Sequence, residues 1–191
     1  MEILLNVLIG IGLAATCGFR IFVPLLIMGI ANVSGYLNLT DGFAWIASYP
    51  ALIVFSVATV LEVIAYFFPY VDNLLNAIST PASVIAGIMV TAAVMTDVSP
   101  ILQWTMAIIA GGGAATTTSM ISNGTHHAST VVSAGITNPI ISAVESIISV
   151  IIPILTIALP LLAFVLLVLF VVFIYRLMMK LKNKIRTIQQ Y

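Results

Sequence analysis

Three charged residues, Arg20, Glu62 and Glu145, lie well inside apolar runs of the chain. An ionised group at the centre of a bilayer costs about 2.5–3.5 kcal/mol on insertion scales, so such residues face a protein interior and have partners. One cation against two carboxylates sets the chemistry. Arg20 answers one glutamate, and the other must be protonated, bind a cation or meet water. A low-dielectric site favours the neutral form of a carboxylic acid, which lets it take up and release protons.

Each glutamate heads a polar stripe. Asn138, Ser142 and Ser149 fall at i−7, i−3 and i+4 from Glu145, and Thr59 and Tyr66 at i−3 and i+4 from Glu62. On a helix these positions share one face. Such a stripe suits a lined pathway between helices; the alternative is a hydrogen-bond network that only holds the bundle together. Ile109-Ala110-Gly111-Gly112-Gly113 leads into Thr116-Thr117-Thr118-Ser119. Hydroxyls such as Thr116 and Ser119 can replace water around an ion, and glycines permit close approach or a break. Close packing of small residues is the other reading. Gly10, Gly12 and Gly18 precede Arg20 and Pro24 follows it, so a helix interrupted near Arg20 would aim the guanidinium or freed backbone groups at the centre.

Other chemistry is absent from the pattern. His126 and His127 are adjacent, so their side chains diverge, and no third ligand suggests a metal; a proton-responsive place at a cavity mouth suits them better. Cys17 is the single cysteine, which excludes an internal disulfide. No nucleophile elbow and no phosphate loop occurs. The expectation is a protein that is not an enzyme and carries no cofactor or metal.

These residues need elements to hold them. Of 191 residues, 62% are hydrophobic and 6% charged. A soluble domain carries about 25% charged residues, so most of this exterior must face hydrocarbon. Six runs approach the ~20 residues of a spanning helix: roughly 3–30, 43–68, 80–97, 100–121, 138–158 and 160–179. Ser99-Pro100 makes a tight hairpin of runs three and four. Residues 31–42 read as a polar loop, 69–79 as a short interfacial segment, and 122–137 as a re-entrant or cavity-lining stretch.

The N-terminal run has Glu2, no basic flank and too great a length for a signal peptide, and reads as a retained first span. Five of the six basic residues lie at Arg176, Lys180, Lys182, Lys184 and Arg186. They place the C-terminus, and with six spans the N-terminus, in the cytoplasm of an inner-membrane protein. No basic patch suits nucleic acid.

The expected fold is therefore an all-α membrane protein of about six transmembrane helices. It has one transmembrane domain over 1–179 and a basic cytoplasmic tail over 180–191. An internal repeat fits the spacing. Gly12 to Thr16, then Glu62, then Pro69 and Pro81 parallel Gly112 to Thr116, then Glu145, then Pro153 and Pro160. Repeat one would cover about 3–97 and repeat two about 100–179, three helices each and inverted in the membrane, with interrupted or re-entrant segments.

Three blocks resemble a family of small, mostly bacterial membrane proteins catalogued as domain of unknown function 4126. Gly18-Phe19-Arg20-Ile21-Phe22-Val23-Pro24 is similar to its first block; Leu61-Glu62, Ala65, Pro69 and Asp72-Asn73 to its second; Gly111-Gly112, Gly124-Thr125, Asn138, Ser142 and Glu145 to its third. Where members carry further intramembrane charges, this chain has Tyr66-Phe67, Ser122, His126 or His127, and Ser146. Arg20, Glu62 and Glu145 survive that trimming. The resemblance implies architecture and brings no activity.

The first functional expectation is a transporter or channel-like carrier for a small solute or ion. Its pathway would use Arg20, Glu62, Glu145, Asn138, Ser142, Thr116 and Ser119. A lipid scramblase or lipid-carrier translocase is the alternative, with Arg20 meeting a phosphate, and a non-transporting scaffold the second alternative. Partners would be membrane lipids and the solute, with a homodimer possible.

Overall fold

The computed structural model describes residues 2–65, 69–133, 136–169, 172, 173 and 176, with backbone alone for 69–77. Every regular element among them is helical. In chain order these are α1 (Glu2–Cys17), α2 (Phe22–Val33), a 3-10 helix (Asp41–Ala47), α3 (Tyr49–Ala65), α4 (Pro69–Val94), α5 (Pro100–Met106), a π-helical segment (Ala107–Gly112), α6 (Gly113–Ser133) and α7 (Asn138–Ala158). A short apolar helix, α8 (Pro160–Leu169), follows.

The all-α expectation holds, but the runs are not six unbroken helices. Run 3–30 is two helices separated at Gly18–Ile21. A helix continued through Pro24 would set the pyrrolidine ring against the carbonyl of Arg20, which favours a break there, although α4 and α7 run on through Pro81 and Pro153. α1 closes with the N–H groups of Phe19 and Arg20 both donating to the Thr16 carbonyl. Run 43–68 starts in the 3-10 helix and bends by 61° into α3. Leu159 precedes Pro160 with φ −140 and ψ 71, which separates α7 from α8. Of the described helices only α7 is by itself long and apolar enough to cross a bilayer, and the bent pair is a second when counted as one span.

Three other boundaries differ from the sequence reading. Residues 122–133 continue α6 as regular helix. Ser122, His126 and Ser129 recur at helical spacing and turn inward, so helix satisfies them without a loop. The segment 69–79 is the first part of α4. The loop after α2 begins only at Ser34, and its Gly35 takes φ 78, a turn conformation that glycine adopts without strain. The hairpin at Ser99-Pro100 is as expected: Ser99 caps α5, its Oγ accepting the Leu102 N–H at 3.4 Å, and Pro100 occupies the first turn.

α1 is the central element, packed against α4, α6 and α7. Leu13, Ala14, Met28, Val90 and Ala93 form the core between these helices and α2. Small residues set the separations. A Cβ at Gly87 of α4 would lie 2.6 Å from Ala115 Cβ and 3.0 Å from the Gly111 carbonyl oxygen, so α4 meets the π-helical segment backbone to backbone. Outside, aliphatic side chains such as Ile53, Val60, Ile101, Ile109 and Leu161 are exposed.

Candidate functional site

The break between α1 and α2 holds the polar centre. Arg20 sits in it fully buried, at 0% exposure. The guanidinium is fixed on three sides. Its Nη1 donates to the Phe19 carbonyl at 2.9 Å, Nη2 to the Ser142 carbonyl at 3.0 Å and Nε to Ser146 Oγ at 3.3 Å. Nη1 also lies 3.6 Å from Glu145 Oε2, a buried ion pair between the break and α7. A charge removed from water in this way must be paired and hydrogen-bonded to persist.

Glu145 is the hub. Its Oε1 accepts the Ser122 hydroxyl at 2.6 Å, and its Oε2 lies 3.1 Å from His126 Nε2. Ser122 and His126 are one turn apart on α6, so a single helix face presents both. All four side chains of this cluster are buried.

Glu62, half-buried on α3, approaches the break from another side. Its Oε1 accepts the N–H of Ile21 at 2.7 Å and its Oε2 that of Phe22 at 3.1 Å. These are among the first N–H groups of α2, which the broken helix leaves without intrahelical acceptors. A carboxylate there also meets the positive end of the helix dipole. Breaking the chain at Gly18–Ile21 thus creates the donors that Glu62 uses.

Two cavities flank the centre. One, about 430 Å³, has Ile21 and Phe22 on one wall, Ala58, Leu61, Glu62 and Ala65 of α3 on a second, and Ile78, Ser79 and Ala82 of α4 on a third. The other, about 240 Å³, lies between Ile121, Ser122 and Thr125 of α6 and Ile141, Val144, Glu145 and Ile148 of α7. Phe19 of the break lines the second, so the segment 19–22 contributes to both.

Of the residues singled out by sequence, Arg20, Glu145 and Ser142 meet directly, and Glu62 joins through the backbone of the residues after Arg20. The stripe on α7 is real: Asn138, Ser142, Glu145 and Ser149 are all buried. Asn138 stands at its far end, donating to Thr130 Oγ1 at 3.2 Å. Ser119 belongs to a neighbouring layer, 3.0 Å from Thr80 Oγ1, which also accepts from Asn123 Nδ2 at 2.9 Å. Thr116 stands apart, its hydroxyl donating to the Gly112 carbonyl of its own turn at 2.7 Å. Thr59 is half-buried, and Tyr66 lies outside the described residues.

Sequence reasoning alone passed over Ser122 and Ser146 and set His126 at a cavity mouth, where the structure buries it at 2% exposure. The signal was present. Ala115, Ser119, Ser122, His126 and Ser129 repeat at three- and four-residue steps, the spacing of one buried face. His127, one residue on, is exposed. Among the described residues no three His, Cys, Asp or Glu side chains are grouped as a metal site requires.

The segments that meet here, 18–26, the α3 stretch at Glu62, and 111–145, are the blocks whose resemblance to a family was noted from sequence. The chain belongs to that family, Domain of unknown function (DUF4126), whose model matches residues 7–180. No curated protein and no solved structure matches it.

Proposed function

We propose that this member of the family is a multi-pass membrane carrier for a small solute or ion. In it Glu62 and Glu145 respond to protons or cations, and Arg20 is their shared counter-ion. One observation carries the reading. A fully buried arginine sits at a helix break between two carboxylates, and each carboxylate borders its own cavity. A bundle that needed only cohesion would use Ser and Thr, which this chain has in abundance, and would fill the space beside its charges.

The spans of this carrier are broken ones. The 3-10 helix and α3 together are long and apolar enough for one bent span; in this reading α1 and α2 pair in the same way, and the exposed aliphatic side chains outside face lipid. Irregular backbone at such depth is tolerated where protein covers it, as at Gly18–Ile21. The basic C-terminal tail, outside the described residues, would lie in the cytoplasm.

The two halves are an inverted repeat in this reading, and the cavities support it residue by residue. Ile21 and Phe22 line the first where Ile121 and Ser122 line the second; Ala58, Leu61, Glu62 and Ala65 stand in the first as Ile141, Val144, Glu145 and Ile148 do in the second. Both correspondences keep a constant offset along the chain. The difference between halves has a physical reason. α6 is continuous at 121–122 and has no free N–H to offer, so Ser122 and His126 supply to Glu145 the donors that broken backbone supplies to Glu62.

The test is ion and solute flux in proteoliposomes, comparing the native chain with Glu62→Gln and Glu145→Gln. Loss or uncoupling of flux is expected in both, and unchanged flux in both would sink the assignment.

A second reading, lipid handling, has its own support. Leu61 and Ile78 at the first cavity, and Ile140 and Val144 at the second, are at least half exposed. Both cavities therefore open between aliphatic lips with a polar group at the base, a shape that admits an acyl chain and its headgroup. Fluorescent-lipid scrambling no faster than in empty liposomes would count against it.

A further inference from the structure

The charge count at the centre is uneven. Among the described side chains, Arg20 is the one permanent cation facing two carboxylates, Glu62 and Glu145. A buried cluster left with a net charge carries a large desolvation cost unless a proton or ion balances it. Glu62 is a poor place for that proton. Each of its oxygens already accepts a backbone N–H, the pattern of an ionised carboxylate capping a helix.

Glu145 is different. Its Oε1 is held by Ser122, while its Oε2 faces both Arg20 at 3.6 Å and His126 Nε2 at 3.1 Å. A metal cation at Oε2 would have to displace the Arg20 guanidinium and the His126 imidazole already there, and an imidazole that has taken up a proton fits without displacing anything. His126 is also the one side chain touching the cluster, among those described, that can change charge near neutral pH. Among the described side chains, the groups facing it are Arg20 from the break, Glu145 from α7 and Ser122 from its own helix. Glu62 on α3 holds the backbone after Arg20, Cys17 at the end of α1 is buried, and His127 is exposed. Asp72 of α4 lies outside the described side chains.

We propose that the ion coupled to this carrier is a proton, that one is bound per chain between His126 Nε2 and Glu145 Oε2, and that of the two glutamates only Glu145 responds to it, which narrows the carrier reading by making Glu62 a fixed anion holding α2. With the proton bound, two cations face two carboxylates among the described side chains. When it leaves through the 240 Å³ cavity that Glu145 borders, one negative charge is left over, which draws water or a cation into that cavity. The coupling role rests on the carrier reading; the occupancy of the pair does not, and it can be read without any flux.

The experiment uses the full chain with nitrogen-15 histidine in lipid bilayers, carrying His127→Gln so that one imidazole remains. Solid-state spectra distinguish an imidazolium, with both nitrogens protonated, from a neutral ring. At about pH 7.5 an exposed imidazole is about nine-tenths neutral. His126 is expected to be mostly imidazolium there, unchanged when sodium is replaced by choline, and to become neutral in Glu145→Gln. A neutral His126 in the native background overturns the proposal, and so does an imidazolium that persists in Glu145→Gln. If that variant does not fold, the spectrum of the native background decides alone. A protonated His126 with no flux in vesicles would leave the site standing and remove the carrier; proton-dependent flux with a neutral His126 would do the reverse.

Discussion

Arg20 and Glu145 meet 3.6 Å apart, with side-chain exposures of 0% and 7%, and the contact joins the break after α1 to the middle of α7. The distance is longer than a hydrogen bond. The guanidinium spends its better-placed donors on the carbonyls of Phe19 and Ser142. The carboxylate is what makes the buried charge tolerable, while the carbonyls fix its position.

That division of labour predicts a double-mutant cycle. Arg20→Met leaves Glu145 without its cation, and Glu145→Gln leaves Arg20 without its anion. Each should cost about 3–5 kcal/mol, as removing one partner of a buried pair does. The double variant should be markedly less destabilised than the sum, because the two charges of the pair go together and Glu62 keeps its two backbone donors. Thermal unfolding of purified protein in detergent measures all three. Additive losses would show that the two charges act independently.

The Glu62 cap gives a local prediction. In Glu62→Gln one carboxylate oxygen becomes an amide nitrogen, which cannot accept, so one of the N–H groups of Ile21 and Phe22 loses its partner. A cost of about 1–2 kcal/mol follows from the lost bond and the lost charge at the helix start. Hydrogen exchange at these two amides should accelerate by about tenfold or more, since about 1.4 kcal/mol corresponds to tenfold. Exchange unchanged from the native chain would mean that other groups hold the start of α2.

Hydroxyls on one stretch of α6 should behave unequally. Thr118 Oγ1 donates to the Ala15 carbonyl of α1 at 2.6 Å and is buried, whereas Thr116 Oγ1 bonds only within its own helix. Thr118→Val should therefore cost about 0.5–1.5 kcal/mol by removing a buried interhelical hydrogen bond from a carbonyl that keeps only the Gly18 N–H, and Thr116→Val should stay within about 0.5 kcal/mol. Melting temperatures of the two variants decide it. Equal effects would show that the helix interface is not where Thr118 acts.

This inequality illustrates what could be read before folding and what could not. A charge in an apolar run announces itself, because its cost demands a partner; Arg20, Glu62 and Glu145 were legible for that reason. So was the stripe from Asn138 to Ser149, since helical spacing dictates its face. Which of Thr116 and Thr118 turns towards α1 depends on the rotation of α6, fixed by packing against α4 at Gly87 and Gly111. Where the helices break was illegible for a related cause. Hydropathy adds up residues on both sides of a break alike, and the break at Gly18–Ile21 depends on Pro24 and on a cap from α3. The stretch 122–137 read as re-entrant or cavity-lining; Ser122 and Thr125 do line a cavity, but the backbone over 122–133 is regular helix, because hydropathy ignores direction and Ser122, His126 and Ser129 face inward.

Two glycines should respond to alanine with opposite signs. At Gly18 an added Cβ would overlap Thr118 Oγ1 and would also lie 2.6 Å from the Ser119 backbone nitrogen and 2.8 Å from the Ala115 carbonyl oxygen. The hydroxyl could turn aside, but the backbone of α6 cannot, so Gly18→Ala should cost about 1–3 kcal/mol, the usual range for overpacking. Trimming the neighbour with Thr118→Ala should fail to restore it, because two of the three obstacles are backbone atoms. At Gly113, the first residue of α6, no atom lies within 4 Å of the added Cβ, and the residue is exposed in helical conformation. Gly113→Ala should stabilise by about 0.4–1 kcal/mol through the entropy it removes from the unfolded chain. Unfolding midpoints in one detergent compare the two directly. If Gly18→Ala were neutral, α1 and α6 could not be as close as their backbone separation requires, and the break that positions Arg20 would have room to move.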